Sequence, residues 1–158
     1  MAAAFALLLA ANVGAACALE LLDSPGGMRL ARVPLQADLT FALRYTHSVT
    51  LRPVESRYAV RGTRIVQTAE VFDDHGPGMA TEPGPGERLE TQHAADGTRF
   101  VLHTERPVPR LVVRLHPLPA FKLLVERHEV DLARWGARAV EVRADCPQDP
   151  GPTSKAAS

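Results

Sequence analysis

Apolar and polar residues alternate along most of this chain, and the alternation begins at residue 19. It is clearest over residues 39–51. The odd positions there are Leu39, Phe41, Leu43, Tyr45, His47, Val49 and Leu51, and the even positions are Thr40, Ala42, Arg44, Thr46, Ser48, Thr50 and Arg52 just beyond. Successive side chains of an extended strand point to opposite faces, so the odd set should face a core and the even set solvent. Strands usually run about 5–6 residues, so a bend over residues 46–49 is expected within this run. After Pro53 the period-two pattern resumes with Val54, Ser56, Tyr58 and Val60, and Arg61-Gly62-Thr63 reads as a hairpin turn into a strand over residues 64–72.

Residues 73–86 hold four glycines and three prolines and cannot sustain a strand ladder. Further strands are predicted over residues 88–92, 98–104, 110–115, 121–127 and 139–143, with Ala95-Asp96-Gly97 as a turn. Residues 131–139 predict one short helical turn capped by Asp131. No segment carries three turns of helical period. The fold class expected is all-β: a mainly antiparallel β-sandwich or partly open barrel of about nine short strands, with little helix.

Two segments lie outside this pattern. Residues 1–18 are apolar and small, with no charged side chain before Glu20. The apolar run falls short of the about 20 residues of a membrane span and fits a secretory signal peptide, although no basic residue follows Met1. Cleavage before Cys17 or before Leu19 both satisfy the small-residue rule. Residues 19–144 then form a single β-rich domain, and residues 145–158, polar and rich in proline, a disordered tail. The protein is expected to be periplasmic or otherwise exported, and anchored only if its N-terminus is retained or lipidated.

Composition adds limits. At 158 residues and 46% hydrophobic the chain supports one packed core. Eighteen basic and eighteen acidic residues give no net charge, so nothing draws it to nucleic acid or an anionic membrane. Aromatic residues at 5% supply no stacking platform for single strands. Cleavage before Cys17 would leave Cys17 and Cys146 able to pair in an oxidising compartment, whereas cleavage before Leu19 would leave Cys146 alone.

The residues offering chemistry are few. His47-Ser48 suggests a hydrolytic pair, but strand neighbours point to opposite faces, and no Gly-x-Ser-x-Gly elbow is present. Asp73-Asp74-His75 is locally dense in metal donors, yet three adjacent residues rarely converge on one ion, so no metal and no cofactor is assigned. His47 is the polar exception on an apolar face. Its ring needs partners, and the nearest candidates are Glu55 and the backbone of residues 76–79. Gly76-Pro77-Gly78 exposes backbone N–H groups of the kind that meet anions. The candidate ligand or partner contacts are therefore His47, Ser48, Glu55, Gly76 and Gly78, with no catalytic residue assigned.

One pattern is more specific. Phe41-Ala42-Leu43-Arg44-Tyr45-Thr46-His47-Ser48-Val49, followed by Pro53-Val54-Glu55 and Tyr58, resembles the signature segment of a bacterial family, domain of unknown function 1850. Phe72 through Met79 resembles the family's second block, with Gly76, Gly78 and Met79 in place, Pro77 where alanine is usual and His75 where an aromatic is common. The resemblance covers about residues 19–143. It implies a small exported protein often encoded beside tripartite ATP-independent periplasmic transporters of the TAXI type, which pair a secreted solute-binding protein with a membrane permease. A contact role for His47 toward a solute-binding protein or permease is what the resemblance implies; a periplasmic hydrolase with His47 as base, or a structural adaptor at the membrane, are the alternatives.

Overall fold

The computed structural model describes residues 16–95, 97–115 and 121–147. Among the described residues eleven strands run in order: β1 (Ala18–Asp23), β2 (Arg29–Pro34), β3 (Thr40–Thr46), β4 (Pro53–Arg61), β5 (Arg64–Phe72), β6 (Arg88–Ala94), β7 (Gly97–Val108), β8 (Leu111–Arg114), β9 (Lys122–Val125), β10 (His128–Asp131) and β11 (Ala139–Asp145). They form two antiparallel sheets, β2-β1-β11-β8 and β10-β9-β3-β4-β5-β7-β6. The sheets stack as a sandwich and do not close into a barrel.

The strand count exceeds the nine expected, partly because residues 121–127 do not form a single strand. Glu126 adopts a left-handed conformation, φ 50°, and turns the chain between β9 and β10. The predicted helical turn is a 3₁₀ turn, Leu132–Trp135, where the Asp131 carboxylate accepts the Ala133 N–H at 2.9 Å and Leu132 is fully buried.

Alternation builds the core. In β3, Phe41 and Leu43 are buried between exposed or half-buried neighbours, and in β4, Val54, Ser56, Tyr58 and Val60 face inward. The small sheet packs Leu19, Leu21, Val113, Val140 and Val142 onto Phe41, Leu43, Tyr58, Val60, Ile65 and Leu123 of the large one. A second cluster, Val54, Phe72 and Leu102, lies further along the large sheet and is covered by Met79 and Ala80 of the Gly- and Pro-rich loop.

Ala18, which cleavage before Leu19 would remove and cleavage before Cys17 would keep, is fully buried in β1, and Cys17 before it is disulfide-bonded to Cys146. Ordered structure also runs past the boundary expected at residue 145. Asp145 closes β11 opposite Ala18, because β1 and β11 are the central pair of the small sheet, and the disulfide extends that ladder. The remainder of the expected leader (residues 1–15) and tail (residues 148–158) lies outside the described residues, as does Asp96 of the expected turn.

Candidate functional site

β3 ends at Thr46, and the alternation ends with it. The His47 N–H donates to the Arg52 carbonyl at 2.8 Å, and the Leu51 N–H donates to the His47 carbonyl at 2.9 Å. The His47 ring holds the interior of this turn: Nδ1 accepts the N–H groups of Val49 at 3.3 Å and Thr50 at 3.2 Å. That occupies the Nδ1 lone pair, so Nε2 carries the hydrogen and donates it to the Pro77 carbonyl at 3.0 Å. His47 is 9% exposed. One imidazole therefore caps its own turn and fastens it to a loop thirty residues away.

The acceptor loop fits this role through its sequence. The Met79 N–H donates to the Gly76 carbonyl at 2.9 Å, with Pro77 and Gly78 between them and Gly78 at φ 87°, the arrangement of a type II turn. Proline presets the first central position and glycine takes the left-handed second one. Gly76 is required for another reason. A Cβ there would lie 2.4 Å from Thr50 Cγ2 and 3.3 Å from His47 Cε1. The two turns touch backbone to side chain, which a larger residue prevents. Arg52 adds a second fastening, donating from Nε at 3.1 Å and Nη2 at 2.6 Å to the two oxygens of Asp73.

The clasped turns present an apolar tip. Val49 and Leu51, placed inward by strict alternation, are instead 66% and 68% exposed, because the turn ends the strand before them. Leu51 sits at φ 56°, a conformation that disfavours a side chain with a Cβ. Ser48 is exposed.

Of the residues expected to contribute, His47 and Gly76 are brought together, Gly78 shapes the same turn, and Ser48 borders it. Glu55 does not join them. Val54 faces inward, so Glu55 faces the outer side of the sheet, where Arg44 donates to it at 2.8 Å and Arg57 at 2.9 Å. Burial raises its carboxyl, but the two guanidiniums together outweigh that and hold it below the ordinary value.

Gly76→Ala should destabilise the fold by about 1–3 kcal/mol, as forced overpacking does. Thr50→Ser removes the clashing methyl and should restore part of the loss in the double variant. Urea unfolding of the three variants measures this; an unaltered midpoint in Gly76→Ala would refute the close approach.

A second group of polar residues lies between the two hydrophobic clusters. One row across the large sheet reads Leu43, Ser56, Glu70, Leu102 from β3 to β7. Ser56 Oγ donates to Glu70 Oε1 at 3.3 Å. Desolvation pushes the Glu70 carboxyl up, with the Ser56 hydroxyl and the more distant Arg106 acting against that shift. Arg106 itself is bonded to Glu87 at 2.7 Å. Burial raises the Tyr45 hydroxyl to about 12, the Glu70 charge adding to the effect. Sequence reasoning missed Glu70 because a bulge hides it. Tyr58 pairs with Gln67 and Arg57 with Ala69, leaving Thr68 as the extra residue, so Glu70 and Phe72 share the inner face that unbroken alternation from Ile65 would deny them.

Glu70→Gln keeps the shape and removes the charge. A carboxyl raised in the folded state subtracts stability as pH climbs through 4.5 toward its folded value. Glu55 and Glu141, held low by arginines, lose stability in the opposite direction, as pH falls, and do so in both proteins. The variant should therefore be the more stable at about pH 7, with the gap closing below about pH 4. Urea unfolding at the two pH values checks this; a gap of the reverse sign at neutral pH would contradict it.

No curated protein and no solved structure matches the chain. A family model does: that described as Domain of unknown function (DUF1850) matches residues 41–132, more than half of the chain and the whole of the loop clasp, and the protein belongs to that family.

Proposed function

We propose that the protein is an exported accessory or binding module of a TAXI-type tripartite periplasmic transporter, and that the clasped turns are the surface that holds a transporter component. The observation that carries this reading is the exposure of Val49 and Leu51 on a turn fixed by His47 and by the Arg52–Asp73 pair. Apolar side chains on a rigid tip lose little conformational freedom when a partner covers them, which favours binding. The Cys17–Cys146 bond supports an oxidising compartment. It also favours processing ahead of Cys17 over processing before Leu19, and a cysteine in a disulfide has no thiol left to lipidate.

The hydrolase alternative gains no support from His47, whose two ring nitrogens are both engaged with backbone groups. Co-purification with the solute-binding protein or permease of the same operon tests the proposal. The Val49→Asp/Leu51→Asp double variant should lose the partner without losing stability. His47→Ala should lose about 1–3 kcal/mol of stability and weaken binding further than that loss explains, and His47→Phe separates bulk from hydrogen bonding. Normal binding by folded Val49→Asp/Leu51→Asp protein would refute the assigned surface.

A further inference from the structure

The buried and half-buried glutamates of this protein are treated unequally. Glu55, Glu87, Glu90 and Glu141 each accept from at least one arginine. Glu141, 5% exposed, has Arg110 on one oxygen and Arg143 on the other. Glu70 has no arginine or lysine bonded to it among the described residues, only the Ser56 hydroxyl. Among the described residues of a chain with sixteen arginines, Glu70, on the inner face of the large sheet, is the half-buried glutamate left without a bonded cation.

Beside it, the edge strand β8 and the inner face of β3 and β4 border a cleft of about 480 Å³, lined by Leu43, Tyr45, Ser56, Tyr58, Phe121 and residues 111–114. That volume lies within the about 300–1,000 Å³ of small-molecule sites. Tyr45 and Tyr58 are the only tyrosines in the chain, and both line it. Tyr45 stacks on Phe121 with ring centroids 5.0 Å apart. Arg114 also borders the cleft, at the solvent-exposed end of β8 where water and salt screen its charge.

The hydroxyl chemistry is directional. Ser56 gives its one hydrogen to Glu70 and also meets the Tyr58 hydroxyl, which takes up one Oγ lone pair and leaves the other for the cleft. The Tyr45 hydroxyl has no hydrogen-bond partner among the described residues and can accept as well. With Arg114 at its exposed margin, a site whose inner polar groups are acceptors, with an uncompensated carboxylate one hydroxyl away and aromatic rings, suits a cation that donates hydrogen bonds.

We propose that this cleft binds an organic ammonium ion, whose N–H groups donate to Ser56 Oγ and Tyr45 Oη beside the Glu70 carboxylate while its carbon chain lies against Phe121 and the tyrosine rings. The same chemistry is supplied by a free alkylamine or by a lysine side chain of another polypeptide. This site is separate from the clasped turns, and neither proposal depends on the other.

Tyrosine-selective ¹³C labelling of the oxidised full chain gives signals from Tyr45 and Tyr58 alone. Titration with n-pentylamine should shift both saturably, whereas 1-pentanol over the same range should not. Glu70→Gln should weaken the amine by about tenfold or more, the scale of a lost charge-assisted contact. Tighter binding of Nα-acetyl-lysine methylamide than of cadaverine assigns the site to a polypeptide, and the reverse order assigns it to a free amine; both orders support an ammonium site. An equal response to amine and alcohol, no saturable shift with the amine, or undiminished amine binding by folded Glu70→Gln protein would each overturn the proposal. The amine–alcohol comparison uses the unaltered chain, so it decides the matter even where Glu70→Gln fails to fold.

Discussion

Replacing Cys17 and Cys146 with serine is expected to lower the free energy of unfolding by about 4–5 kcal/mol. The bond joins residues 129 apart in sequence, so on the chain-entropy account it closes a long loop and restricts the unfolded ensemble strongly. The folded state accommodates it without rerouting the backbone, since Ala18 and Asp145 already face each other across β1 and β11. Those strands carry Leu19, Leu21, Val140 and Val142 into the core, and fraying of this pair opens the small sheet from its middle. Urea unfolding of the oxidised protein and of the double serine variant, at one pH, measures the difference. The cross-linked chain should also show the smaller m-value, because its unfolded state exposes less surface. A loss below about 1 kcal/mol would mean that the unfolded chain already keeps its ends together.

Phe72→Ala should cost about 3–5 kcal/mol, the range for emptying a buried phenylalanine site. Phe72 is 2% exposed and forms the second cluster with Val54 and Leu102. Its ring stacks on Phe100 at 5.7 Å and meets the edge of His75 at 5.3 Å. This cluster is small and roofed by a loop, so the cavity lies directly under the clasp. Asp73, which binds Arg52, is the next residue, and His75 Nδ1 is bonded to the Ala80 carbonyl at 2.9 Å. The loss should therefore appear as faster amide exchange over residues 73–80 as well as in the unfolding midpoint. Phe72→Leu should cost less than half as much. Equal losses in the two variants, with exchange in the loop unaltered, would show that the roof does not depend on this ring.

The strands themselves were largely legible from residue patterns. Phe41 and Leu43 alternate with Thr40, Ala42 and Arg44 because a half-buried strand can bury only every second side chain, and the same holds from Val54 to Val60. Gly76-Pro77-Gly78 was legible as a turn because proline and glycine restrict and permit the backbone locally. His47 was legible as an exception, a polar ring on an apolar face.

What the pattern did not contain was contact between distant segments. Nothing near His47 in sequence distinguishes the Pro77 carbonyl from the Glu55 carboxylate as its partner; the sheet did, by sending Glu55 to its outer face toward Arg44 and Arg57. Val49 and Leu51 continue the alternation of β3, yet a turn held by hydrogen bonds to the His47 ring leaves them exposed. The pairing of Cys17 with Cys146 waited on the adjacency of β1 and β11. Glu70 reached the inner face through a bulge at Thr68 that pairing with β4 and β7 imposes. Local backbone and solvation preferences act over a few residues and so are written in the sequence; the register of strands, and with it which polar groups meet, is set by neighbours far along the chain.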